Sequence, residues 1–362
     1  MRILILANYD LGLYKFRKEL LEKLCNRNKV FVSCPYGDYI DKIREIGCKY
    51  IRQEFNRKGT NPFADFRQLI DYIRIIKKIK PNIVLTYTIK PNIYGGLACQ
   101  LTNTPYITNI TGLGTAVENE GVMQKITCLL YKIGLKKANM VFFQNKANCL
   151  FMLKRNIINK NYSLIPGSGV NTSHFSLIDY PNSDTVDFVF ISRIMKEKGI
   201  VQYLNAAKYI RKKYPQTRFH ICGSCETDYE AILKKYESDN IIIYHGNIDD
   251  VREIHKISQC TIHPSFYPEG MSNVLLESCA CGRPIITTDR PGCGEIIDDG
   301  VNGFVVEQKN SKDLIAKIEM FMKLSVEERK AMGLSGRSKV EKEFNRRIVI
   351  DEYIKEIRRI TG

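Results

Sequence analysis

Residues 267–284 read Tyr-Pro-Glu-Gly-Met-Ser-Asn-Val-Leu-Leu-Glu-Ser-Cys-Ala-Cys-Gly-Arg-Pro. The proline and glycine near the start of this stretch interrupt regular structure and predict a loop. Ser272 is a favourable N-cap, and the apolar residues after it have the spacing of a helix that ends at Gly282. The stretch therefore places one carboxylate, Glu269, on the loop and a second, Glu277, in the helix.

The start of that helix is a candidate site for an anion. The backbone amides of Gly270, Met271 and Ser272 are expected at the positive end of the helix dipole, where a phosphate can bind. The two carboxylates then flank the anion and can accept hydrogen bonds from hydroxyl groups of the same ligand. A nucleotide sugar carries both kinds of group.

The length of 362 residues favours two domains, each large enough to bury its own core. No run of about 18 apolar residues occurs, so no membrane-spanning helix is expected. The apolar run at residues 1–7 is interpreted as a strand and not as a signal peptide. The twelve cysteines are scattered through predicted strands and helices, which indicates buried thiols in a reducing cytosol. Because no second cysteine pair has zinc spacing, neither a metal nor another cofactor is expected.

The net charge of +16 is confined to the first half of the chain. Residues 1–166 hold 27 basic and 11 acidic side chains, whereas residues 167–362 hold 28 of each. This asymmetry indicates an acidic partner for the first half, such as an anionic membrane, a phosphorylated acceptor or nucleic acid. A well-solvated lysine-rich surface is the alternative explanation.

The first half alternates short apolar strands with helices. The strands are predicted at residues 2–7, 30–34, 50–51, 83–87 and 140–144. This alternation predicts a doubly wound parallel sheet, which binds its ligands at the carboxyl ends of the strands. The loop predicted at residues 8–14 contains Gly12 alone and not the three glycines of a dinucleotide-binding turn, which argues against a nicotinamide or flavin enzyme.

Two later loops also follow predicted strands, at residues 86–96 and 109–115. Lys90 in the first loop could meet an anion, and the glycines of the second permit a ligand to approach the backbone. Plain turns have a similar composition. The position of both loops at successive strand ends favours a binding site.

A helix near residues 125–136 is amphipathic. Its apolar side chains are Ile126, Leu129, Leu130 and Ile133, and its lysines are Lys125, Lys132 and Lys136. A helix at a membrane surface has this pattern. A helix that packs against a sheet has the same apolar spacing, and we expect this second arrangement.

Residues 166–186 contain many turn formers and little periodicity, which predicts the domain boundary. The alternation restarts with a strand at residues 187–192, and Arg193 and Lys198 lie on the short loop after it. Two cations at a strand end can neutralise a diphosphate without a metal, although an isolated basic loop is more often simply solvated. The chain ends in helices predicted at residues 311–323, 325–344 and 346–360.

Together these stretches resemble the retaining glycosyltransferases of family 4. The resemblance rests above all on Glu269 and Glu277 with seven residues between them, followed by the Gly-Arg-Pro-Ile-Ile-Thr-Thr-Asp run at residues 282–289. It implies an α/β architecture, the GT-B fold, in which two Rossmann-like domains with doubly wound parallel sheets face each other across a cleft. The implied domains are an acceptor-binding domain at residues 1–166, a nucleotide-sugar-binding domain at residues 167–344, and a final helix at residues 345–362 that crosses back to the first domain.

The resemblance also implies roles for individual residues. Those matching Arg193 and Lys198 hold the donor diphosphate, the one matching Glu277 binds the ribose, and the one matching Glu269 faces the transferred sugar. The segment matching residues 244–248 lines the base. The expected catalytic residues are thus Glu269, Arg193 and Lys198. The expected substrate-binding residues are Gly12, Lys90, Asn109, Thr111, Gly223, His245, Gly246, Ile248, Gly270, Met271, Ser272, Asn273 and Glu277.

Residues 88–95 and 110–114 are similar to bacterial enzymes that build O-antigen, capsule or N-glycan precursors on undecaprenyl diphosphate, several of which use UDP-N-acetylhexosamines. Those enzymes are cytoplasmic and attach peripherally to the inner face of the membrane, and the basic first half agrees with an anionic bilayer. Many family members have a histidine near the position of residues 109–111. This chain has no histidine before His174, so either Asn109 or Thr111 takes that contact or the role is absent.

Other functions also fit parts of the sequence. A UDP-sugar epimerase of the same fold needs histidine and acidic groups from both domains, and the histidine-free first half argues against it. A nucleic-acid-binding protein is suggested by charge alone, without a recognisable motif. A catalytically silent family member is disfavoured because both cations and both carboxylates are present.

Overall fold

The computed structural model describes residues 1–53, 61–118, 120–225 and 227–362. The chain forms two compact units. Unit 1 consists of Met1–Ser168, Glu269–Met271 and Arg347–Gly362, and unit 2 consists of Gly169–Pro268 and Ser272–Arg346.

Unit 1 is built around a seven-stranded, all-parallel sheet with the strand order β3-β2-β1-β4-β5-β6-β7. Its strands are β1 (Arg2–Leu6), β2 (Lys29–Cys34), β3 (Lys49–Arg52), β4 (Ile83–Tyr87), β5 (Tyr106–Ile110), β6 (Met140–Phe143) and β7 (Tyr162–Leu164). Its first helices are α1 (Asp10–Cys25), α2 (Ile40–Glu45), α3 (Pro62–Ile79), a π-helical turn (Pro91–Gly95) and α4 (Gly96–Leu101). The others are α5 (Thr115–Glu118), α6 (Val122–Leu135), α7 (Lys146–Lys154) and the last helix of the chain, Arg346–Thr361.

Strand β1 shows why a central strand of this sheet is a continuous run of apolar residues in the sequence. Ile3 and Ile5 join the apolar cluster on one face of the sheet, and Leu4 and Leu6 join the cluster on the other. Successive side chains of a strand point to opposite faces, so a strand covered by helices on both sides needs apolar residues at every position.

Unit 2 contains a six-stranded parallel sheet with the order β10-β9-β8-β11-β12-β13. Its strands are β8 (Val186–Ile191), β9 (Thr217–Cys222), β10 (Ile243–Tyr244), β11 (Cys260–His263), β12 (Ile285–Thr288) and β13 (Gly303–Val306). Its helices are α8 (Ile200–Lys213), α9 (Thr227–Ser238), α10 (Arg252–Ile257), α11 (Asn273–Ala280), α12 (Ser311–Lys323) and α13 (Val326–Glu343). The last helix of the chain, which packs in unit 1, is α14 (Arg346–Thr361).

Both sheets reverse their winding direction once. The reversal lies between β1 and β4 in unit 1 and between β8 and β11 in unit 2. Loops that leave neighbouring strands at such a point diverge, and the crevice between their carboxyl ends is where doubly wound sheets bind ligands. In unit 2 these are the loops that carry Arg193, Lys198 and residues 264–268.

Two predicted loops of unit 1 are largely helical in the structure. Helix α1 begins at Asp10, so Gly12 lies in its first turn and not in a loop at residues 8–14. After β4, the predicted loop at residues 86–96 becomes helical from Pro91. Proline is well suited to the first turn of a helix, where its missing N–H would have no intrahelical partner.

The prediction that the apolar stripe of α6 packs against the sheet is wrong. Ile126, Leu129 and Ile133 are exposed, and of the predicted stripe Leu130 alone packs against an apolar cluster of unit 1. The buried positions of the helix are Gln124, Thr127, Tyr131, Gly134 and Leu135. The helix therefore turns its more polar side inward. No helix in the described part of the chain is both long and apolar enough to cross a bilayer.

Candidate active site

The two predicted cations of unit 2 lie against the same aromatic ring. The Arg193 guanidinium carbon is 5.4 Å from the centroid of the Tyr267 ring, and the Lys198 Nζ atom is 4.8 Å from it. Lys198 is buried, whereas Arg193 is exposed. Cations at these distances are attracted to an aromatic ring, so both Arg193 and Lys198 contact Tyr267 near the carboxyl end of β8.

Close backbone packing fixes the loop that carries Lys198. Gly199 has a φ of +82°, and a Cβ atom at this position would overlap the carbonyl oxygen of Pro264. The amide of Phe266 donates to the carbonyl oxygen of Glu197 at 2.9 Å. The loops after β8 and β11 are thus joined directly, which explains how Lys198 comes to lie beside Tyr267.

The ends of β9 and β10 are also joined through glycines that the sequence predicts for the site. The Gly223 amide donates to the Gly246 carbonyl oxygen at 2.7 Å. Gly223 has a φ of +136°, and a Cβ atom there would overlap the carbonyl oxygen of Ser192. This close approach brings the ends of β8, β9 and β10 together.

His245 is linked to a buried polar chain. Its Nε2 atom lies 2.9 Å from His220 Nδ1, and His220 Nε2 lies 2.7 Å from Asp187 Oδ1. Arg218 donates two hydrogen bonds to the same carboxylate, at 2.6 and 2.9 Å. A carboxylate only accepts hydrogen bonds, so a neutral His220 donates from Nε2 and accepts at Nδ1 from His245. With His220 in that form, His245 donates from Nε2 and its Nδ1 atom is left as an acceptor.

The charges in this chain follow from its contacts. Burial alone would raise the pKa of Asp187, but hydrogen bonds from His220 and Arg218 outweigh that effect and bring it to about 2. Burial, followed by the proximity of His220, lowers the pKa of His245. Near neutral pH the structure therefore presents an ionised Asp187 and an uncharged His245.

Helix α11 begins one residue after Ser272, as the sequence predicts, and contains Glu277. The amide of Ser272, however, donates to the Gly292 carbonyl oxygen at 2.8 Å, so it is not one of the amides offered to an anion. The Ser272 side chain makes no capping hydrogen bond. Asn273 is the first helical residue, and Ile248 and Val274 pack against the same apolar cluster. The loop after β10 therefore lies close to the first turn of α11.

Two predicted site residues of unit 1, Lys90 and Gly12, have different surroundings. Lys90 makes a 2.8 Å ion pair with Asp65, whose other oxygen accepts a 2.9 Å hydrogen bond from the Tyr94 hydroxyl. Lys90 thus has an internal carboxylate partner. Gly12 packs beneath the Tyr9 ring in the first turn of α1.

Asn109 is one of the two residues considered in place of the missing histidine, and its side chain is already hydrogen-bonded within unit 1. Its amide nitrogen donates to the Tyr353 hydroxyl at 2.7 Å, and its oxygen accepts from Gln144 at 3.3 Å. Asn109 is fully buried, whereas Thr111 is partly exposed. These contacts give the Asn109 side chain a structural role and leave Thr111 as the candidate for a substrate contact.

The segment Glu269–Met271 belongs to unit 1. The amide nitrogen of Asn145 donates to the carbonyl oxygens of Glu269 and Gly270, at 3.1 and 2.7 Å. A Cβ atom on Gly270 would overlap the carbonyl oxygen of Thr111. The structure therefore brings together the predicted residues Thr111, Glu269 and Gly270.

Three residues of the site were not singled out from the sequence: Tyr267, Asn145 and His220. Asn145 directly follows a buried strand, β6, and the rule that ligands bind at strand ends would have identified it. Tyr267 is the first residue of the stretch at residues 267–284, but its ring contacts depend on the loop after β8. His220 is a strand histidine, and the sequence gives no indication of its partners.

Two doubly wound parallel sheets, with two cations and close-packed glycines at the strand ends of the second, form the architecture expected for the GT-B class of glycosyltransferases. The family model described as Glycosyl transferases group 1 matches residues 180–339, and the one described as Glycosyl transferase 4-like matches residues 2–145. The chain belongs to the group 1 glycosyltransferases of family 4, enzymes that transfer a sugar from a nucleotide sugar.

Similar proteins of known name or structure cover nearly the whole chain. The N,N'-diacetylbacillosaminyl-diphospho-undecaprenol alpha-1,3-N-acetylgalactosaminyltransferase of Campylobacter jejuni is 26% identical over 341 residues, 89% of each chain. The capsular polysaccharide biosynthesis glycosyltransferase CapM of Staphylococcus aureus is 26% identical over 80% of each chain.

Solved structures confirm the predicted fold. A Rickettsia africae glycosyltransferase superposes with a TM-score of 0.82 at 21% identity, covering 99% of this chain and 98% of its own. Anabaena HepE in complex with UDP-glucose gives a TM-score of 0.81 at 16% identity, covering 98% of each chain.

Proposed function

We propose that this enzyme transfers an N-acetylhexosamine from a UDP-sugar to a saccharide linked to a lipid diphosphate, with retention of the anomeric configuration and without a metal. The observation that carries the proposal is the pairing of Arg193 and Lys198 on the Tyr267 ring. Two cations that contact one ring next to a strand end are suited to a diphosphate, which carries two adjacent negative charges.

The similar proteins support the choice of donor and acceptor. The name of the Campylobacter jejuni relative specifies a diphospho-undecaprenol acceptor and transfer of N-acetylgalactosamine, and the Anabaena structure contains UDP-glucose. We infer the same classes of substrate here, within bacterial surface polysaccharide or glycan biosynthesis. A lipid-linked acceptor requires access to a bilayer, and we infer that the basic first half attaches the enzyme to the anionic inner face of the cell membrane.

In the proposed reaction, cleavage of the bond between the sugar and the diphosphate places negative charge on the leaving group. Arg193 and Lys198 stabilise this charge more strongly in the transition state than in the bound donor, which accelerates the step. Glu277 accepts hydrogen bonds from the ribose, and Glu269 faces the sugar. Attack by the acceptor hydroxyl on the face that the diphosphate leaves retains the configuration, with the leaving phosphate oxygen taking the proton.

The tautomer of His245 is suited to a hydrogen bond with the nucleotide base of the donor. Its Nδ1 atom is left as an acceptor by the chain through His220 to Asp187, so it suits a base edge that donates a hydrogen bond. The imide N–H of uracil is such a donor. The lowered pKa of His245 keeps its ring uncharged near neutral pH.

Calorimetric titration tests the donor site directly. Purified protein with EDTA is titrated with UDP, GDP and ADP, and the experiment is repeated with Lys198→Ala. We expect selective binding of UDP, weakened roughly 10- to 100-fold in the variant, because a hydrogen bond to a charged group contributes about 1.5–3 kcal/mol. The matched control is Lys196→Ala, which removes an exposed lysine from the same turn and is expected to bind UDP normally.

Three results would contradict the proposal. Equal binding of all three nucleotides would remove the preference for UDP. A requirement for Mg²⁺ would exclude the metal-free site. UDP binding that is unchanged by Lys198→Ala would exclude the role of the paired cations. The acceptor is tested separately by turnover of UDP-N-acetylhexosamines with lipid-diphosphate saccharides, and the anomeric configuration of the product is read by NMR.

A further inference from the structure

Helix α6 exposes a continuous apolar ridge on the surface of unit 1. Val122, Ile126, Leu129 and Ile133 recur at intervals of three or four residues and therefore lie along one side of the helix. Their side chains are 74%, 47%, 58% and 42% exposed, respectively. A folded protein rarely leaves a row of large apolar side chains in water unless another surface covers it. We call these four residues the α6 ridge.

The ridge is exposed because the opposite side of α6 is specialised for close packing. A Cβ atom on Gly134 would overlap the backbone of Ile93, and a Cβ atom on Gly96 would overlap the carbonyl oxygen of Gly134. The same carbonyl accepts a hydrogen bond from the buried Tyr106 hydroxyl at 2.8 Å. These contacts hold Gly134 against the rest of unit 1, so the helix cannot rotate its apolar side inward without losing them.

Charge is distributed along one flank of the ridge. Lys125, Lys132 and Lys136 are exposed and lie next to the apolar row on the helix surface. The helix itself contains no acidic residue, although Glu118 and Glu120 precede it. An apolar stripe with basic residues beside it is the pattern of a helix that lies in the plane of an anionic bilayer.

A second copy of the chain fits this surface less well. If two ridges packed together antiparallel, the lysine rows of both copies would lie side by side and repel each other, and in a parallel pair neither row would meet an opposite charge on the partner's α6. A bilayer with anionic headgroups offers apolar chains to the ridge and negative charge to the lysines at once. We propose that α6 is the membrane-docking element of this enzyme and that the ridge inserts among the lipids.

This inference rests on the proposed function, since a lipid-linked acceptor lies at the membrane surface. It adds the part of the chain that makes contact. Helix α6 lies in the domain that is proposed to bind the acceptor, so an α6 that lies on the bilayer keeps this domain at the membrane.

Flotation with lipid vesicles tests the proposal. The full-length protein is mixed with vesicles of phosphatidylcholine and phosphatidylglycerol, or of phosphatidylcholine alone, and the bound fraction is measured. We expect Ile126→Glu/Leu129→Glu to reduce the partition coefficient by roughly a hundredfold or more, because each of the two inserted side chains contributes about one factor of ten or more. Lys125→Gln/Lys132→Gln should weaken binding to the anionic vesicles and reduce its dependence on salt.

The control is Leu334→Glu, which changes a side chain of similar exposure, 42%, on α13 of unit 2. It should float as the wild type does. Circular dichroism and UDP binding without vesicles verify that each variant is folded. If the wild type does not bind UDP but the ridge variants still bind vesicles more weakly than the wild type, the proposed function is wrong and the docking proposal stands.

Three outcomes would overturn the docking proposal. The wild type could fail to bind anionic vesicles, or the ridge variants could bind them as tightly as the wild type. The third outcome is a dimer of wild-type protein in vesicle-free buffer that Ile126→Glu/Leu129→Glu converts to a monomer. That result would assign the ridge to contact between copies of the chain.

Discussion

Arg283 shows how a residue of a family motif can have a structural role. Its side chain lies fully inside unit 2, where burial lowers its pKa. The guanidinium donates to the backbone carbonyl oxygens of His255, Ile178, Asp179, Cys281 and Gly282. One side chain thus joins the end of α10, the end of α11 and the segment before β8. The Gly-Arg-Pro motif that supported the family resemblance is explained at this position by folding, without a substrate contact.

His255, whose carbonyl oxygen accepts one of these bonds, makes stability depend on pH. Its ring is fully buried, and burial followed by the charge of Arg283 lowers its pKa to about 3 from the ordinary 6.5. Above pH 6.5 the ring is neutral in both the folded and the unfolded chain. Between pH 6.5 and 3 the unfolded chain takes up the proton and the folded chain does not, so the free energy of unfolding falls as pH falls.

We therefore expect the free energy of unfolding of unit 2 to fall by up to about 1.4 kcal/mol per pH unit from this ring as pH falls from 6 to 4. The measurement is urea unfolding at several pH values, for the wild type and for His255→Phe. The contribution of His245 is present in both proteins and cancels in the comparison. Equal slopes for the two proteins would show that the buried ring is not the source of the pH dependence.

At the level of single residues, the sequence predicted the loop, strand or helix in which a residue lies better than it predicted the side chains that the residue contacts. Glu269 lies on the loop and Glu277 in the helix, as expected. The position of an anchoring residue such as Tyr267, by contrast, depends on two loops that are distant in the chain. Asn109 occupies the end of β5 as predicted, but its side chain points to the internal partners Gln144 and Tyr353. Periodicity indicates which strand end a residue occupies, and not which side chains it meets there.

The turn before α8 provides a test of how an element positions the site. In Gly199→Ala, the new methyl group meets the carbonyl oxygen of Pro264 while the backbone keeps a left-handed conformation. We expect UDP binding to weaken at least roughly tenfold, because the loop that carries Lys198 must shift, and we expect unfolding to become easier by about 2 kcal/mol or more. Calorimetry and urea unfolding measure the two effects.

Gly300→Ala is the matched control for this substitution. Gly300 has a φ of +73°, close to the +82° of Gly199, but a Cβ atom there has no neighbour within 4 Å among the described residues. It is expected to cost only the strain of the left-handed backbone, about 1–2 kcal/mol, and to leave UDP binding unchanged. If both variants bind UDP equally well, close packing on Pro264 does not position the loop.

Elements themselves were largely predictable, because buried strands and helices leave different apolar periods in the sequence. The orientation of α6 was not predictable in this way. A helix with apolar residues on one side normally buries that side, and the inward face here depends on Gly96 and Gly134 approaching each other from separate helices. Likewise, Ser272 was predicted as a capping residue with a free amide, and the bond to Gly292 depends on a loop that follows another strand.

At the scale of the whole molecule, the last helix returns the chain to the unit in which it began. Residues Arg347–Gly362 belong to unit 1. Val349, Tyr353 and Ile357 are each at most 2% exposed and join the apolar cluster that also contains β1 residues. Removal of α14 would expose this cluster, so the fold of unit 1 requires both ends of the chain.

Tyr353 connects this long-range packing to the candidate site, since its hydroxyl accepts the hydrogen bond from Asn109 and its ring lies 4.8 Å from that of Phe142. Tyr353→Phe keeps the ring and removes the acceptor, and we expect a loss of about 1–3 kcal/mol because the buried Asn109 amide is left without this partner. Tyr353→Ala also leaves a cavity and is expected to cost about 3–5 kcal/mol.

Urea unfolding of unit 1, followed at each substitution, measures both losses. Ile348→Ala, at a side chain of the same helix that is 36% exposed, serves as the control and should change the free energy by about 0.5 kcal/mol or less. Asn109 also accepts a hydrogen bond from Gln144 at the end of β6, and Tyr353→Phe does not remove that partner. The variant therefore distinguishes a structural role of Asn109 from a contact with the substrate. A stability loss without a change in sugar transfer would establish Asn109 as structural. A loss of transfer at unchanged stability would return it to the substrate site in place of Thr111.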